Sequence, residues 1–286
     1  MSLQKLGRSP TLLAMARDLK DRVIVITGAS AGIGAATAIE AAAAGMDVVL
    51  AARRLEKLEA VAEQVRQAGR QALPIACDVG KDEDVTGLVE ATMNEFGKID
   101  VIFANAGYGF LKPIASLDDE AHRQIFEVNY FGTVRCIKAA LPIMQQQKAG
   151  HLVITSSIVG RVGLPFYSHY SATKAAQDGL ATGLRLEVEP DGIDVTTVYP
   201  IGTKTEFFEV SASIGGRDAI SENTPEIFMQ SPRHVARRIV KALRRPCPEV
   251  WPARWAHFGS SFACMFPRFT RWALRKHADK DRHLAS

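Results

Sequence analysis

The segment YSATK places a tyrosine, Tyr170, and a lysine, Lys174, four residues apart in a stretch with helical character. On a helix this spacing puts both side chains on the same face. A phenol titrates near pH ~10, and a neighbouring ammonium group favours the ionised phenolate. A tyrosine tuned in this way can exchange a proton with a carbonyl or alcohol oxygen. The spacing alone also fits an exposed Tyr–Lys pair without function.

A serine that suits the same chemistry precedes this tyrosine. Ser157 ends the apolar segment HLVITSS, which has the composition of a buried strand. Ligands of open parallel sheets bind beyond the carboxyl ends of the strands. The end of this strand and the helix that carries Tyr170 can therefore converge on one site. We expect Ser157 to hydrogen-bond the substrate oxygen, with Ser156 as the competing candidate.

A glycine-rich turn, TGASAGIG, follows the first predicted strand and opens a helix, with glycines at Gly28, Gly32 and Gly34. Glycine lets the backbone turn tightly and approach a ligand closely. The start of the following helix offers free N–H groups and a positive dipole end to a phosphate. In this context the turn predicts a pyrophosphate cradle. A tight strand–helix turn without a ligand is the alternative.

The end of the second predicted strand, LAARR, indicates which dinucleotide such a cradle would hold. NAD-binding folds usually carry an acidic residue near this point for the ribose 2′-hydroxyl. Here Ala52 stands in its place, and Arg53 and Arg54 follow. Because guanidinium binds phosphate well, we expect NADP(H) in preference to NAD(H), with Arg53 on the 2′-phosphate and Ser30 as a further donor. Two solvated arginines at a helix start are the alternative.

Apolar strands alternate with helices along most of the chain. Strands are predicted at 22–28, 46–53, 71–79, 99–107, 150–157 and 192–200, and helices at 32–45, 54–69, 82–96, 118–148 and 170–190. Continuous apolar strands separated by helices predict an α/β fold, with a parallel sheet and helices on both faces. We expect one doubly wound domain at 21–245, after an N-terminal extension at 1–20.

Two segments depart from this pattern. Residues 206–230 contain many small polar side chains and two adjacent glycines, which predicts a mobile substrate loop. Residues 246–286 form a basic, aromatic and irregular tail, in which Pro267 would interrupt any long helix. The tail fits a membrane-surface segment, a dimer contact or substrate lid, or a segment packed on its own core. The sequence favours the last two over membrane contact.

Composition narrows the classes of function. The chain has 286 residues and a net charge of +4, which is too small to indicate nucleic-acid binding. The region 241–286 holds ten Lys/Arg and three Asp/Glu, so the basic character lies in the tail. Four separated cysteines without a CxxC pair indicate reduced thiols in the cytoplasm rather than a disulfide frame or a metal site. No apolar run reaches the ~18 residues of a membrane span.

Together the motifs resemble the short-chain dehydrogenase/reductase superfamily, in its compact branch. The resemblance covers residues 20 to 205 and rests on motifs in the correct order: TGASAGIG (27–34), CDV (77–79), NAG (105–107), Asn129, Ser157 and YSATK (170–174). It implies a single Rossmann-type domain and a nicotinamide-dependent oxidoreductase. It also implies a small-molecule substrate and a homodimer or homotetramer.

The resemblance implies a role for each matching residue. Tyr170 would be the general acid/base, Lys174 would lower its pKa and hold the nicotinamide ribose, and Ser157 would polarise the carbonyl. Asn129 would hold a water in a proton relay from Lys174, with a kink in a buried helix as its alternative role. Cofactor-binding positions, besides Tyr170 and Lys174, would be Gly28, Ser30, Gly32, Ile33, Gly34, Arg53, Asp78, Val79, Asn105, Ala106, Gly107, Pro200, Thr203 and Thr205. Asn105 and Gly107 could instead mainly fix strand packing.

One loop departs from the family pattern. A Pro-Gly pair usually follows the sixth strand and contacts the nicotinamide carboxamide, but here Ile201 stands between Pro200 and Gly202. Isoleucine restricts the backbone where glycine would free it, which puts the carboxamide contacts of Ile201, Thr203 and Thr205 in question. This departure is the one feature that favours a non-catalytic NADP(H)-binding sensor or scaffold.

The sequence thus predicts an NADP(H)-dependent oxidoreductase that transfers a hydride between the nicotinamide and a carbonyl or secondary alcohol. Apolar and aromatic residues near the motifs favour a fairly apolar substrate, although aromatic residues are also common in cores. The candidate pocket residues are Tyr108, Phe110, Leu164, Phe166, Tyr167, Phe207 and Phe208.

Overall fold

Seven parallel strands form the central sheet in a computed structural model, which describes residues 16–203, 205–215 and 229–281. The strands lie in the order β3-β2-β1-β4-β5-β6-β7. This order reverses direction between β1 and β4, so the prediction of a doubly wound α/β domain is confirmed. The strands are β1 (Val23–Thr27), β2 (Asp47–Ala52), β3 (Ala72–Ala76), β4 (Val101–Ala104), β5 (Gly150–Thr155), β6 (Ile193–Val198) and β7 (Glu249–Val250).

Helices cover both faces of the sheet. In the described residues they are α1 (Gly32–Ala43), α2 (Leu55–Gln67), α3 (Asp82–Phe96), α4 (Asp119–Phe126), α5 (Gly132–Gln147), α6 (Ile158–Arg161), α7 (Ser168–Val188), α8 (Phe207–Gly215), α9 (Pro232–Arg244), α10 (Arg254–Met265) and α11 (Pro267–Asp281). A π-helical turn, Glu127–Phe131, joins α4 to α5, so the single long helix predicted at 118–148 is interrupted.

Two hydrophobic cores sandwich the sheet because successive strand side chains point to opposite faces. On β1, Ile24 and Ile26 pack with α1, α2 and α9, whereas Val23 and Val25 pack with α3, α5 and α7. All four side chains are at most 1% exposed. Truncating Ile26 to alanine would cost about 2–5 kcal/mol, which is typical for a fully buried aliphatic side chain. The cores hold β1, β4 and β5 rigidly, and the candidate site lies beyond their carboxyl ends.

The structure shifts the limits that the sequence suggested for the domain. Leu19, placed in an N-terminal extension, is 1% exposed and belongs to the core. Strand β7 lies beyond residue 245 and adds an edge to the sheet. Helix α8 occupies the first part of the predicted loop at 206–230, whose residues 216–228 lie outside the described ranges. The tail contains two helices rather than irregular chain, and Pro267 separates them at the start of α11.

No helix in the described part of the chain is long and apolar enough to cross a bilayer.

Candidate active site

One cleft of about 850 Å³ runs along the carboxyl ends of the central strands. Most of the predicted site residues line it, although they come from distant parts of the chain. Gly34 and Asn129 do not line the cleft and instead support its wall. The predicted residues in the lining are Gly28, Ser30, Gly32, Ile33, Arg53, Asp78, Val79, Asn105, Ala106, Gly107, Ser157, Tyr170, Lys174, Pro200, Thr203 and Thr205.

The glycine-rich turn between β1 and α1 leaves no room for side chains. Gly28 has a φ of +67°, and a Cβ there would lie 2.9 Å from Cα of Ala106. A Cβ on Gly34 would lie 2.3 Å from the carbonyl oxygen of Gly28. The turn therefore packs backbone against backbone, and it presents the N-terminus of α1 to the cleft.

Asn105 ties three strands together behind the cleft. Its Nδ2 donates to the carbonyl oxygen of Thr27 at 3.0 Å, and its Oδ1 accepts from Oγ1 of Thr155 at 3.1 Å. The N–H groups of Asn105 and Ala106 both donate to Oγ1 of Thr27. The side chain of Asn105 is thus committed to joining β1, β4 and β5, as in the packing role that the sequence left open.

The CDV motif shapes one end of the cleft. Asp78 folds back on its own turn, since its Oδ1 accepts from the N–H of Gly80 at 3.0 Å. The N–H of Asp78 donates to Oδ2 of Asp84 at 2.8 Å. Val79 is buried against Gly132, where a Cβ would lie 2.7 Å from Cγ2 of Val79. The motif therefore forms a fixed wall with an apolar surface.

A cluster of charged side chains stands where β2 ends. Nη2 of Arg54 lies 3.2 Å from Oγ of Ser30 and 2.7 Å from Oε2 of Glu206. Nζ of Lys57 lies 2.6 Å from Oε1 of the same carboxylate. The hydrogen bonds from Lys57 and Arg54 lower the pKa of Glu206. The described contacts join Arg54 to Ser30, while Arg53, the residue expected on the 2′-phosphate, is exposed at the rim.

Tyr170 and Ser157 meet beyond the end of β5. Ser157 caps α6, and its Oγ accepts from the N–H of Val159 at 3.4 Å. Burial raises the pKa of Tyr170 above its ordinary value, and a hydrogen bond with Ser157 partly opposes this shift. Ser156, the competing candidate, is 1% exposed and donates its hydroxyl to the carbonyl oxygen of Lys174. Ser157 is therefore the serine that touches the phenol.

Lys174 bonds to groups other than Tyr170 in the described contacts, so its expected effect on the pKa of the phenol stays a prediction. Its Nζ donates to the carbonyl oxygen of Thr155 at 2.8 Å and to Oε1 of Gln177 at 2.9 Å. The same atom lies 5.6 Å from the centroid of the Tyr170 ring. Burial lowers the pKa of Lys174 to about 7, and the carboxylate of Asp178 opposes this shift. The phenol and the ammonium group are therefore close but not hydrogen-bonded to each other.

Gln177 is a site residue that the sequence analysis missed. Its Nε2 donates to the carbonyl oxygen of Asn129 at 2.8 Å and to Oγ1 of Thr133 at 2.7 Å, while its Oε1 accepts from Lys174. The residue is 1% exposed. The amide therefore bridges the ammonium group and the π-helical turn. The available signal was a polar residue three positions after Lys174, on the same helix face.

The Asn129 side chain is fully buried in the π-helical turn. This position fits the alternative role of Asn129 at a kink in a buried helix. Its Oδ1 accepts from the N–H of Tyr108 at 3.0 Å, and its Nδ2 donates to the Tyr108 carbonyl oxygen at 2.8 Å. A Cβ on Gly107 would lie 2.9 Å from Oδ1 of Asn129. Asn129 thus positions the segment that follows β4, next to Lys174.

The Pro-Ile-Gly loop accommodates its isoleucine without strain. Neither Ile201 nor Gly202 adopts a positive φ, so this backbone does not require glycine directly after Pro200. Ile201 packs against the cluster formed by Tyr199, Trp251, Ala253 and Ala256. The loop also reaches the glycine-rich turn, because a Cβ on Gly32 would lie 2.9 Å from Cγ2 of Thr205. The isoleucine anchors the loop to the C-terminal segment.

The part of the cleft next to Tyr170 has an apolar lining. Of the predicted pocket residues, Tyr108, Leu164, Phe207 and Phe208 line it, and the ring of Phe207 lies 5.6 Å from that of Tyr170. The assignment of three others to the pocket is wrong, because they pack in the cluster behind Tyr170: Phe110, Phe166 and Tyr167. The sequence analysis missed several lining residues, which long-range folding brings to the site: Gln124, Val128, Ile158, Val159, Ile214 and Trp255.

Comparisons with known proteins agree with this geometry. The short chain dehydrogenase family model matches residues 22–213. An uncharacterised oxidoreductase of Listeria innocua is 40% identical over 193 residues, which cover 67% of this chain and 78% of that protein. The 11-beta-hydroxysteroid dehydrogenase A of Sesamum indicum is 32% identical over 268 residues, which cover 90% of this chain and 76% of that protein.

A solved structure gives the same result. A short-chain type dehydrogenase/reductase from Mycobacterium marinum superimposes with a TM-score of 0.73 and 31% identity, covering 79% of this chain and 89% of that one. The family match spans more than half of the chain and includes the glycine-rich turn, Ser157, Tyr170 and Lys174. The chain therefore belongs to the short-chain dehydrogenase/reductase superfamily and is an NAD(P)-dependent oxidoreductase.

Proposed function

We propose that the protein is an NADP(H)-dependent oxidoreductase that interconverts a carbonyl group and a secondary alcohol on a fairly apolar small molecule. The observation that carries this proposal is that Tyr170, Ser157 and Lys174 line one cleft together with cationic side chains and with apolar side chains. The cationic side chains suit a phosphorylated cofactor, and the apolar side chains suit the substrate.

The residues present fit a dinucleotide. Gly28 and Gly34 have no side chains, and neighbouring backbone atoms fill the space that side chains would take. A pyrophosphate can therefore approach the N–H groups at the start of α1. Lys174 offers a buried ammonium group for the ribose hydroxyls. The cofactor-binding residues would be Gly28, Gly32, Ile33 and Gly34 around the pyrophosphate, Asp78 and Val79 beside the adenine, Asn105, Ala106 and Gly107 along the wall, and Pro200, Thr203 and Thr205 on the nicotinamide side.

The charged cluster supports NADP(H) in preference to NAD(H). Arg54 and Lys57 donate to one carboxylate, Arg54 also donates to Oγ of Ser30, and Arg53 stands beside them at the rim. These donors hold the carboxylate of Glu206, which is in line with a site for an anion. A 2′-phosphate offers the same donors a stronger acceptor, because charge-assisted bonds from guanidinium to phosphate can be bidentate.

The chemistry divides between the cofactor and the chain. When bound, the nicotinamide supplies or accepts the hydride. Tyr170, kept protonated by burial, donates its proton to the carbonyl oxygen in reduction, while Ser157 hydrogen-bonds the same oxygen. Lys174 places its amino group next to the phenol, and Gln177 and Thr155 fix its position. The apolar walls around Tyr170 exclude water, which strengthens these electrostatic interactions.

The apolar part of the cleft supports an apolar ketone or alcohol as the substrate. Tyr108, Leu164, Phe207 and Phe208 provide aromatic and aliphatic surface next to Tyr170. The name of the sesame relative, a hydroxysteroid dehydrogenase, is in line with a bulky apolar substrate. Reaction of small, highly charged substrates alone would contradict this assignment.

We also propose a homodimer or homotetramer in the cytoplasm. Two exposed apolar side chains are consistent with contacts between copies: Phe131, which directly precedes α5 and is 46% exposed, and Leu186 of α7, which is 72% exposed. The four cysteines are free thiols, which is in line with a reducing compartment. Light scattering coupled to size-exclusion chromatography would determine the number of subunits, and a monomer at micromolar concentration would contradict the proposal.

The reaction is tested with a panel of ketones of graded apolar size, with NADPH oxidation followed by absorbance. We expect turnover of at least one aromatic or polycyclic ketone. Tyr170→Phe should lower kcat roughly 10²–10⁴-fold, because it removes the proton donor and keeps the ring. NADPH binding should change little in that variant. Turnover that survives in Tyr170→Phe would overturn the assignment of the proton donor.

A further inference from the structure

The last two described helices carry a continuous row of exposed aromatic rings. Ring centroids are 4.6 Å apart for Phe262 and Phe266, 5.8 Å for Phe262 and Phe269, and 5.6 Å for Phe269 and Trp272. These four side chains are 47–54% exposed. We use the term aromatic surface for the set Trp255, Phe258, Phe262, Met265, Phe266, Phe269 and Trp272.

The bulky side chains of the aromatic surface point away from the hydrophobic core. On α10 the residues that face the body of the protein are small, since Ala256 is 1% exposed and Ser260 is 4% exposed. The bulky residues Phe258 and Met265 on the same helix are 69% and 71% exposed. A helix packed on its own core would have the reverse distribution. A contiguous exposed apolar patch of this kind marks an interaction site.

Positive charge surrounds the aromatic surface. The sequence between Val250 and Ala278 contains four arginines and one lysine, and it has no aspartate or glutamate. Arg254, Arg268, Arg271 and Arg275 are exposed, and none of them forms an ion pair with any residue that the structure describes. The surface therefore offers apolar rings together with exposed guanidinium groups that have no ion-pair partner among the described residues, which calls for a partner that is both apolar and anionic.

A second copy of this chain does not meet that requirement. Two-fold symmetry would place the same patch on both sides of the contact. The arginines would then face arginines, with no acidic residue from this segment to neutralise them. Like charges placed opposite each other disfavour such an association.

A bilayer with anionic phospholipids meets both requirements. Phe and Trp side chains lie at the boundary between headgroups and acyl chains, and arginines bind lipid phosphates. We propose that the aromatic surface docks α10 and α11 on the face of an anionic membrane. The helices then lie in the plane of the interface and do not cross the bilayer.

The docking surface begins at the rim of the candidate active site. Trp255 belongs to the aromatic surface and also lines the cleft, as does Ile214 of α8. These two side chains are 54% and 47% exposed. On a docked protein the apolar part of the cleft opens beside the acyl chains, so an apolar substrate dissolved in the bilayer can enter it directly. This consequence rests on the proposed function, whereas the docking itself does not.

The test is flotation of the full chain with vesicles of equimolar phosphatidylcholine and phosphatidylglycerol, and with vesicles of phosphatidylcholine alone. We expect about tenfold or more stronger binding to the anionic vesicles, and weaker binding at high salt. Replacing Arg268 and Arg271 with glutamine should lower the partition coefficient roughly fivefold per arginine. Phe262→Ser combined with Phe269→Ser should abolish binding.

Matched controls lie on other faces of the molecule. Ile114→Ser removes an apolar side chain before α4 that is 60% exposed, and Lys138→Gln removes an exposed charge of α5. Both variants should float like the wild type. Thermal unfolding and NADPH-dependent reduction of a water-soluble ketone should be unchanged in all variants. Loss of flotation can thereby be separated from loss of the fold or of the proposed activity.

Three outcomes would overturn the docking proposal. The first is absence of binding to anionic vesicles. The second is binding that the arginine and phenylalanine variants leave intact. The third is a soluble oligomer that Phe262→Ser and Phe269→Ser dissociate, because the aromatic surface would then contact a second copy. Flotation without any ketone reduction would leave docking established and contradict only the proposed function.

Discussion

Nζ of Lys174 donates to Oε1 of Gln177 across 2.9 Å, and Nε2 of the same glutamine donates to the carbonyl oxygen of Asn129 across 2.8 Å. A neutral side chain thus joins the buried ammonium group to the π-helical turn that supports the cleft wall. Both polar atoms of the Gln177 amide are buried and hydrogen-bonded. Removing the amide would therefore leave its buried partners without a hydrogen bond. Gln177 is therefore a positioning residue for Lys174.

Gln177→Leu should lower the free energy of unfolding by about 1–3 kcal/mol, because it leaves buried partners unsatisfied. Gln177→Glu keeps an acceptor for Lys174 and adds a negative charge, so it should raise the pKa of the lysine. The measurement is the pH dependence of kcat/KM, in which the inflection due to Lys174 should move upward. Gln147→Leu is the control, since Gln147 bonds the backbone of Ile99 away from the cleft. An unmoved pH profile in Gln177→Glu would reduce Gln177 to a structural residue.

Lys174 should make the cofactor-free protein less stable at neutral pH than at alkaline pH. Its pKa is about 7 in the fold and 10.5 ordinarily, so the unfolded chain binds more protons between these values. Stability therefore rises with pH across that window, by on the order of 1 kcal/mol per pH unit at most. Chemical denaturation between pH 7 and 9 measures this rise. Lys174→Met should flatten the curve, and identical curves for the two proteins would show that folding does not lower the pKa of Lys174.

Alcohol oxidation should accelerate as the pH rises. Burial raises the pKa of Tyr170, so the phenol stays protonated at neutral pH, where it can donate a proton but not accept one. Reduction is therefore favoured near neutrality, and oxidation should increase from pH 7 to 10 without reaching a plateau. Initial rates in both directions give the two profiles. Ser157→Ala should move the oxidation profile further to alkaline pH, because the Ser157 hydrogen bond lowers the tyrosine pKa. A plateau below pH 8 would contradict this assignment.

Glu206 should compete with the cofactor for the charged cluster. Its carboxylate occupies Arg54 and Lys57, and it directly precedes α8 at the edge of the cleft. Exposed ion pairs of this kind are worth about 0.2–1 kcal/mol. Glu206→Gln should therefore tighten NADPH binding by up to about fivefold and leave NADH binding nearly unchanged. Glu209→Gln, on the exposed side of α8, is the control. Weaker NADPH binding in Glu206→Gln would mean that the carboxylate helps to build the site.

Local patterns predicted the strands, the glycine-rich turn and the spacing of Tyr170 and Lys174, because each depends on neighbouring residues. Such local patterns could not predict contacts between segments that are distant in the sequence. Glu206 reaches Arg54 across 152 positions of sequence, and Trp255 enters the cleft from the tail. The pKa of Tyr170 also depends on burial, which spacing does not reveal. Phe110 and Tyr167 were misassigned because aromatic residues near a motif fill cores as readily as pockets.

The most direct test of the proposed cofactor is a calorimetric titration of the protein with NADPH and with NADH. We predict that NADPH binds about tenfold or more tightly than NADH, since hydrogen bonds to a charged phosphate contribute about 1.5–3 kcal/mol. Arg54→Ala should remove most of this difference, and Arg53→Ala should have a smaller effect. Equal affinities for both nucleotides, or tighter binding of NADH, would contradict the assignment of the charged cluster to the 2′-phosphate.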